Sequence, residues 1–242
     1  MRKVFIDGGA NIGQSTEAFL KFHPKAEEFE IHCFEPSREP SVLDPLKWKL
    51  QHLWNTHKPK NIKLYEEVIW IEDGKIRFFD EGGESSSVHR TMGLRHKDKS
   101  ITVEGFDFSN WLKDNFDKDD FIILKLDIEG AEYEVIKKMC VDQSIDYINL
   151  FYCEIHGSKC YKTLSESIEL LHMAAARDKK LYVWGPASYD GKRKNTLYTE
   201  ELLKIEYIRW YHRDIEALHS DFTSVCMPVS YTHLRAHETG RN

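Results

Sequence analysis

Short apolar runs alternate with longer amphipathic segments from the first residues of the chain. The runs predict strands, and the longer segments, with apolar residues at helical spacing, predict helices. The predicted strands cover residues 4–6, 30–34, 61–71, 76–79, 101–103, 121–126, 147–152 and 181–184. The predicted helices cover residues 14–22, 45–54, 106–116, 131–139, 164–176 and 200–218. This order predicts an α/β fold, doubly wound around a mostly parallel sheet with helices on both faces.

Two segments between these elements carry a signal of their own. Asp73-Gly74 stands between the runs 61–71 and 76–79, and this dipeptide between apolar runs is typical of a hairpin turn. Residues 81–99 are rich in glycine, serine and charge and contain few large apolar residues. We expect this segment to form a mobile loop over a site on the sheet.

The length of 242 residues suits one domain, which we expect to cover residues 1–228. Residues 229–242 follow Pro228 with neither helical nor strand periodicity. They resemble the translation of a transposase sequencing adaptor, and we interpret them as a non-native, disordered tail. The natural sequence beyond Pro228 stays open.

Composition narrows the class of protein. The longest apolar runs are too short to cross a bilayer, and the one that follows Lys3 is too short for a signal peptide, which predicts a cytoplasmic protein without a membrane span. A net charge of −6 makes nucleic acid an unexpected substrate, although a local basic patch stays open. The five cysteines contain no C-x-x-C pair, which argues against a disulfide framework and a zinc knuckle. The oligomeric state stays open.

The turn Asp7-Gly8-Gly9-Ala10-Asn11-Ile12-Gly13 joins the first strand to the first helix, where nucleotide-like ligands bind. A phosphate-binding loop is disfavoured because Gln14 stands where its lysine belongs. A dinucleotide pattern would need glycine in place of Ala10. The Asp7 carboxylate would repel a pyrophosphate but suits the sulfonium and ammonium of S-adenosylmethionine. Glu35 ends the second strand, where an acid can accept both ribose hydroxyls of an adenosine.

Acidic residues and a histidine follow two further strands. Asp127 and Glu129 come after the apolar run 121–126, and Glu154 and His156 follow the run 147–152, so all four are expected at one edge of the sheet. We expect His156, as a histidine of near-neutral pKa, to be the first choice of catalytic base, with Asp127 or Glu129 second. Glu132 is expected to favour the N-terminus of the following helix. The spacing identifies no particular metal, so no metal site is predicted. Oxygen and imidazole ligands from Asp127, Glu129, Glu154 and His156 nevertheless leave a metal-assisted reaction open.

Four segments together resemble the FkbM family of methyltransferases. They are Phe5-Ile6-Asp7-Gly8-Gly9-Ala10-Asn11-Ile12-Gly13, Phe34-Glu35-Pro36, Lys125-Leu126-Asp127-Ile128-Glu129-Gly130-Ala131-Glu132 and Glu154-Ile155-His156. The resemblance implies a Rossmann-like class I methyltransferase fold and S-adenosylmethionine as the donor. It also implies O-methylation of a hydroxyl on a sugar or natural-product-like acceptor, which is a small molecule or a glycan.

By position, the resemblance assigns the methionine end of the cofactor to residues of the glycine turn: Asp7, Gly8, Gly9, Asn11 and Gly13. It assigns the ribose to Glu35 and places Asp127 at the methyl-transfer site. Residues 66–70, Glu-Glu-Val-Ile-Trp, depart from the small residues expected near the adenine. A nucleotide-dependent oxidoreductase and a catalytically inactive Rossmann-like binding module stay as alternatives.

Overall fold

The computed structural model describes residues 1–80, 86–89, 100–157, 162–184 and 196–205. The strands are β1 (Lys3–Gly8), β2 (Glu30–Phe34), β3 (Asn61–Tyr65), β4 (Val68–Trp70), β5 (Gly74–Phe78), β6 (Ile101–Asp107), β7 (Phe121–Leu126), β8 (Ile148–Cys153) and β9 (Leu181–Val183). The helices are α1 (Gln14–Phe22), α2 (Pro40–His57), α3 (Phe108–Asn115), α4 (Glu132–Val141) and α5 (Leu164–Ala175), with short 3₁₀ helices at Ala26–Glu28 and Ser144–Tyr147.

The main sheet has six strands in the order β3-β2-β1-β7-β8-β9, and every neighbouring pair is parallel. From β1 the chain adds β2 and β3 on one side of the sheet and β7, β8 and β9 on the other. The crevice between β1 and β7 is therefore the switch point, where open α/β sheets bind ligands. The predicted doubly wound α/β fold is confirmed. The ends of β1, β2, β7 and β8 therefore lie side by side and carry the predicted site residues.

Alternate side chains of the central strands enter two separate cores. Ile6 and Leu124 belong to the core that α3, α4 and α5 cover, whereas Phe5 and Ile123 belong to the core covered by α1 and α2. On the second face Phe5 stacks on Phe19 of α1, with ring centroids 4.1 Å apart. Helices thus cover both faces, and the strands read as continuous apolar runs because neither face is solvated.

A second, three-stranded sheet corrects two predictions. The single strand predicted over residues 61–71 is wrong, because the chain leaves the main sheet after Tyr65 and β4 begins at Val68 in the smaller sheet. The hairpin predicted at Asp73-Gly74 is also wrong. β6 lies between β4 and β5, parallel to β4 and antiparallel to β5, so the two runs beside the turn never pair.

Two helix starts differ from the prediction by two residues or more. α2 begins at Pro40, five residues before the predicted start at Pro45, because Pro40 occupies the first turn and needs no amide donor there. α3 begins at Phe108 instead of residue 106, because β6 continues to Asp107. The Asp107 carboxylate then caps α3 by accepting from the amide of Asn110.

Several predictions fall wholly or partly on residues outside the described ranges. These are the loop at 81–99, of which residues 86–89 are described, the helix at 200–218, of which residues 200–205 are described and helical, and the tail at 229–242. Among the described residues, no helix is both long and apolar enough to cross a membrane.

Candidate functional site

The glycine turn folds against the ends of β2 and β7. The amides of Gly9 and Ala10 both donate to the carbonyl oxygen of Phe34 at 3.0 Å. Gly9 has a φ of 76°, and a Cβ added there would lie 1.8 Å from the carbonyl oxygen of Asp127. Because that oxygen belongs to the backbone and cannot move aside alone, only glycine fits at position 9. The turn is thus held between the two strand ends that carry candidate site residues.

Asp7 lies beneath the turn and does not line the cavity beside it. Its side chain is fully buried, accepts hydrogen bonds from the hydroxyls of Ser15 and Thr16, and lies 3.3 Å from Nζ of Lys125. Its charge is balanced inside the protein by Lys125, and its predicted role at the methionine end of the cofactor stays a prediction. Asp7 ties the start of α1 to the end of β1.

Sequence reasoning misses Lys125, which is buried within the otherwise apolar strand β7. Its Nζ donates to the carbonyl oxygens of Gly8 and Gly9, at 3.1 and 2.7 Å. The same atom lies 3.3 Å from Asp7 Oδ1 and 3.4 Å from Asp127 Oδ2. Burial alone would lower the pKa of Lys125, but the carboxylates of Asp127 and Asp7 raise it above its usual value. One charged lysine therefore joins the turn to the acid that follows β7.

Glu35 follows β2 and faces the cavity. Its Oε2 accepts from the amide of Asn11 at 2.7 Å, and its Oε1 accepts from the amide of Ser37 at 2.9 Å. Burial raises the pKa of Glu35, and the two amide donors oppose that rise. Each carboxylate oxygen keeps a second acceptor site that a ligand hydroxyl could use.

A cavity lies at the ends of β1, β2 and β7, and the space between its walls, including open solvent, is about 410 Å³. Its lining residues are Gly9, Phe34, Glu35, Pro36, Glu67, Val68, Ile69, Phe78, Ser86, Val88, Asp127, Ile128 and Ala131. Of the predicted site residues, Gly9, Glu35 and Asp127 are in this lining. Gly8, Asn11 and Gly13 lie in the turn behind it, and Asn11 and Gly13 have positive φ values of 47° and 83°.

The acidic loop after β7 is shaped by Glu132. This side chain is fully buried, and its two oxygens accept from the amides of Ile128 and Gly130, both at 2.7 Å. Glu132 begins α4, as expected for an acid at a helix N-terminus, but it also closes the loop on itself. Glu129 within the loop has a φ of 57°, a left-handed conformation that the closed loop maintains.

Three carboxylates and a histidine meet above this loop. Nε2 of His156 lies 3.5 Å from Glu154 Oε1, 3.6 Å from Glu129 Oε2 and 3.8 Å from Asp127 Oδ1. The other ring nitrogen, Nδ1, lies 3.1 Å from Oε1 of Glu132. The structure therefore brings together all three residues predicted to be catalytic, and adds Glu132 behind the histidine.

The electrostatics of this cluster bear on the roles expected from the sequence. Burial alone would lower the pKa of His156, but the carboxylates of Glu132 and Glu129 raise it well above its usual value. The direction of this shift differs from the near-neutral pKa expected from the sequence, and the role of His156 as the base stays a prediction. Burial raises the pKa of Asp127, partly offset by Lys125 and His156. A carboxylate with a raised pKa is a better proton acceptor than an ordinary one.

The smaller sheet reaches the site through the described residues 86–89. Ser87 pairs with Phe79 through two backbone hydrogen bonds, and its hydroxyl donates to the carbonyl oxygen of Glu129 at 2.6 Å. Asp80 accepts from the hydroxyl of Ser37 at 2.8 Å. The segment that follows β5 is therefore bonded both to the acidic loop and to the residues after Glu35, contacts that no local sequence signal predicts.

The comparison with protein families agrees with the sequence resemblance. The family model for the methyltransferase FkbM domain matches residues 7–180. The crystal structure of methyltransferase FkbM from Methylobacillus flagellatus KT matches at 15% sequence identity with a TM-score of 0.40, and the match covers 78% of this chain and 33% of that chain. This chain thus spans about a third of the length of that protein. A search of curated proteins found no match.

Proposed function

The chain belongs to the methyltransferase FkbM domain family, and on that premise we propose that it transfers the methyl group of S-adenosylmethionine to an acceptor hydroxyl. The acceptor we propose is a sugar or natural-product-like molecule, either free or part of a glycan. The observation that carries the proposal is the cavity at the switch point, because Glu35 and Asp127 both line it beside the glycine turn.

The chemistry of the cavity fits the proposed cofactor. Glu35 would accept hydrogen bonds from the ribose hydroxyls, and the apolar side chains of Val68, Ile69 and Phe78 would cover the adenine. Gly9 allows the turn to pack against β7 and leaves the methionine end room beside Asp127. When bound, the cofactor would supply a methyl carbon activated by the positive sulfur.

The chain's own contribution would be alignment and proton transfer. Asp127 would accept the proton that the acceptor hydroxyl releases as its oxygen forms the new bond to carbon and the bond from carbon to sulfur breaks. His156, which is hydrogen-bonded to Glu132, would hold Glu129 and Asp127 in place. Family membership favours this reaction over the oxidoreductase alternative, and turnover would exclude an inactive binding module.

Ligand-induced thermal stabilisation tests the donor. S-adenosylhomocysteine, the product form of the donor, should raise the free energy of unfolding by about 2.7 kcal/mol at 100 times its Kd. For a chain of this size that corresponds to a melting-temperature increase of roughly 5–10 °C. NAD⁺ and ATP should give no increase. Stabilisation by NAD⁺ and not by S-adenosylhomocysteine would contradict the proposal.

A variant of Glu35 localises the binding. Glu35→Gln should weaken S-adenosylhomocysteine binding roughly 10- to 100-fold, because hydrogen bonds to a charged group contribute about 1.5–3 kcal/mol. Glu27→Gln, at an exposed position away from the cavity, is the matched control and should leave the affinity unchanged. Equal affinity in both variants would remove Glu35 from the cofactor site.

Methyl transfer to a panel of hydroxylated sugars and natural products, followed by S-adenosylhomocysteine release, tests the reaction. Once an acceptor is found, Asp127→Asn should lower kcat by roughly 10²- to 10⁴-fold, the contribution typical of a proton acceptor. His156→Gln should lower it less, because the histidine positions the carboxylates. The opposite order of effects would return the role of base to His156.

A further inference from the structure

Nε2 of His156 faces three carboxylates. The side chain is 3% exposed. Its Nε2 lies 3.5 Å from Glu154 Oε1, 3.6 Å from Glu129 Oε2 and 3.8 Å from Asp127 Oδ1. A buried imidazole nitrogen is therefore directed at a group of oxygen atoms that could share one ligand.

The spacing of these atoms resembles that of ligands around one ion. One atom each from Asp127, Glu129 and His156 lies within 4.8 Å of the others. Ligands about 2.1 Å from a divalent cation are separated by roughly 3.0–3.4 Å when adjacent and by about 4.2 Å when opposite. Side-chain shifts of a few tenths of an ångström would therefore bring all three donors onto a common centre.

The second ring nitrogen of His156 contacts a carboxylate, as the second nitrogen of a metal-bound imidazole commonly does. Nδ1 lies 3.1 Å from the carboxylate of Glu132, which is itself fixed by the amides of Ile128 and Gly130. Metal-ligating histidines almost always donate their second N–H to such a carboxylate or carbonyl, which orients the ring and makes the free nitrogen a better ligand. This contact is independent of the acids that face Nε2.

We propose that Asp127, Glu129 and His156 form a binding site for a divalent cation, with Glu154 at its more exposed rim. Two carboxylates and one imidazole favour Mn²⁺ or a similar ion of intermediate hardness. Four carboxylates surround one histidine here, and a dication would offset the excess of negative charge. Metal binding would release any proton from Nε2, because the imidazole ligates through the lone pair of that nitrogen. A catalytic role rests on the proposed function: the cation would bind the acceptor oxygen and lower its pKa, and the carboxylate oxygen of Asp127 that does not bind the cation would accept the proton.

Mn²⁺ titration into protein freed of metal with EDTA and then dialysed tests the site. The electron paramagnetic resonance signal of free hexaaquo Mn²⁺ reports how much ion remains unbound. The wild-type chain should bind one Mn²⁺. Glu129→Gln and His156→Gln should each weaken binding at least tenfold, and Glu132→Gln roughly 10- to 100-fold by releasing the ring.

The matched control is His172→Gln, because His172 is an exposed histidine whose Nε2 lies 3.0 Å from a carboxylate, that of Glu200. This variant should bind Mn²⁺ like wild type. Circular dichroism checks that each variant is folded, and Glu129→Gln decides the question if His156→Gln does not fold. Absence of binding to wild type, or equal binding by all variants, would overturn the site.

The outcomes for the site and for the proposed function are separable. Stabilisation by S-adenosylhomocysteine in EDTA, without any Mn²⁺ binding, would overturn the metal site and leave the proposed function standing. Stoichiometric Mn²⁺ binding that is lost in Glu129→Gln supports the site even if S-adenosylhomocysteine fails to bind. Methyl transfer should cease in EDTA and return with Mn²⁺, and full activity in EDTA would overturn the catalytic role.

Discussion

Replacement of Lys125 by methionine should destabilise the protein more than any other single lysine replacement we can identify among the described residues. Methionine fills a similar volume but removes the charge that lies 3.3 Å from Asp7 and 3.4 Å from Asp127. Asp7 is fully buried, so its carboxylate would lose its counter-charge without gaining water. Removal of one partner of a buried ion pair costs about 3–5 kcal/mol.

Urea unfolding measures the expected loss in the free energy of unfolding of Lys125→Met. A loss of 3–5 kcal/mol corresponds to a decrease in melting temperature of roughly 6–20 °C for a chain of this length. The urea m-value should stay unchanged, because the surface exposed on unfolding is the same. Lys113→Met is the control, since Lys113 is exposed on α3 and its replacement should change stability by less than about 0.5 kcal/mol.

A double-mutant cycle separates the charge from the packing. Asp7→Asn keeps an oxygen for the hydroxyls of Ser15 and Thr16 but removes the unbalanced charge. The variant with both Asp7→Asn and Lys125→Met should therefore be more stable than Lys125→Met alone, with a coupling energy of about 2 kcal/mol. A loss below about 1 kcal/mol for Lys125→Met, or further destabilisation on adding Asp7→Asn, would refute this account.

Three further predictions concern the turn, a buried histidine and a helix cap. Gly9→Ala should lower the free energy of unfolding by more than about 2 kcal/mol and abolish S-adenosylhomocysteine binding in calorimetry. Gly74→Ala is the control, because Gly74 has a φ of 139° but nothing lies within 4 Å of the added Cβ. It should cost only local backbone strain of about 1–3 kcal/mol and retain binding. Burial lowers the pKa of His32 to about 4. The unfolded chain therefore binds the extra proton first as pH falls from about 6.5 to 4, and roughly 3 kcal/mol of stability should be lost in that window, a dependence that urea titrations of His32→Leu should lack. Thr163→Ala removes the capping box of α5 and should cost about 1 kcal/mol by thermal unfolding, and no change would mean that the helix end is frayed.

Periodicity predicts the elements that are regular over their whole length. The boundaries of α1, β2 and β7 match the prediction because continuous apolar runs or a clear amphipathic pattern extend to both ends. The pattern over 61–71 fails because apolar residues continue while the chain changes sheets at Glu66-Glu67. Nor can a local pattern show that β6, which follows a segment of 22 residues after β5, inserts between β4 and β5. Strand pairing across such a separation is decided by packing.

At the candidate site, too, the sequence predicts some features, and others depend on packing. Topology alone predicts that Asp127, Glu129 and His156 converge, because the carboxyl ends of neighbouring parallel strands share one edge, and the structure brings them together. Their charge states depend on partners that the sequence does not place. Lys125 interrupts an apolar run, and a single charge within such a run is a sequence signal of a buried, paired lysine. Glu132 gives no comparable signal, because an acid at a helix start is common.

The two buried charged contacts explain why the turn and the acidic loop act as one unit. Lys125 bonds the carbonyl oxygens of Gly8 and Gly9, and its ammonium also faces Asp127, so any movement of the acidic loop must strain the turn. Glu132 fixes the far side of the same loop and holds His156. Asp127 lies near both Lys125 and His156 and therefore connects the turn to the acidic loop. Because two buried side chains fix the position of its carboxylate, we expect a ligand that binds at the glycine turn to meet a preformed acidic loop.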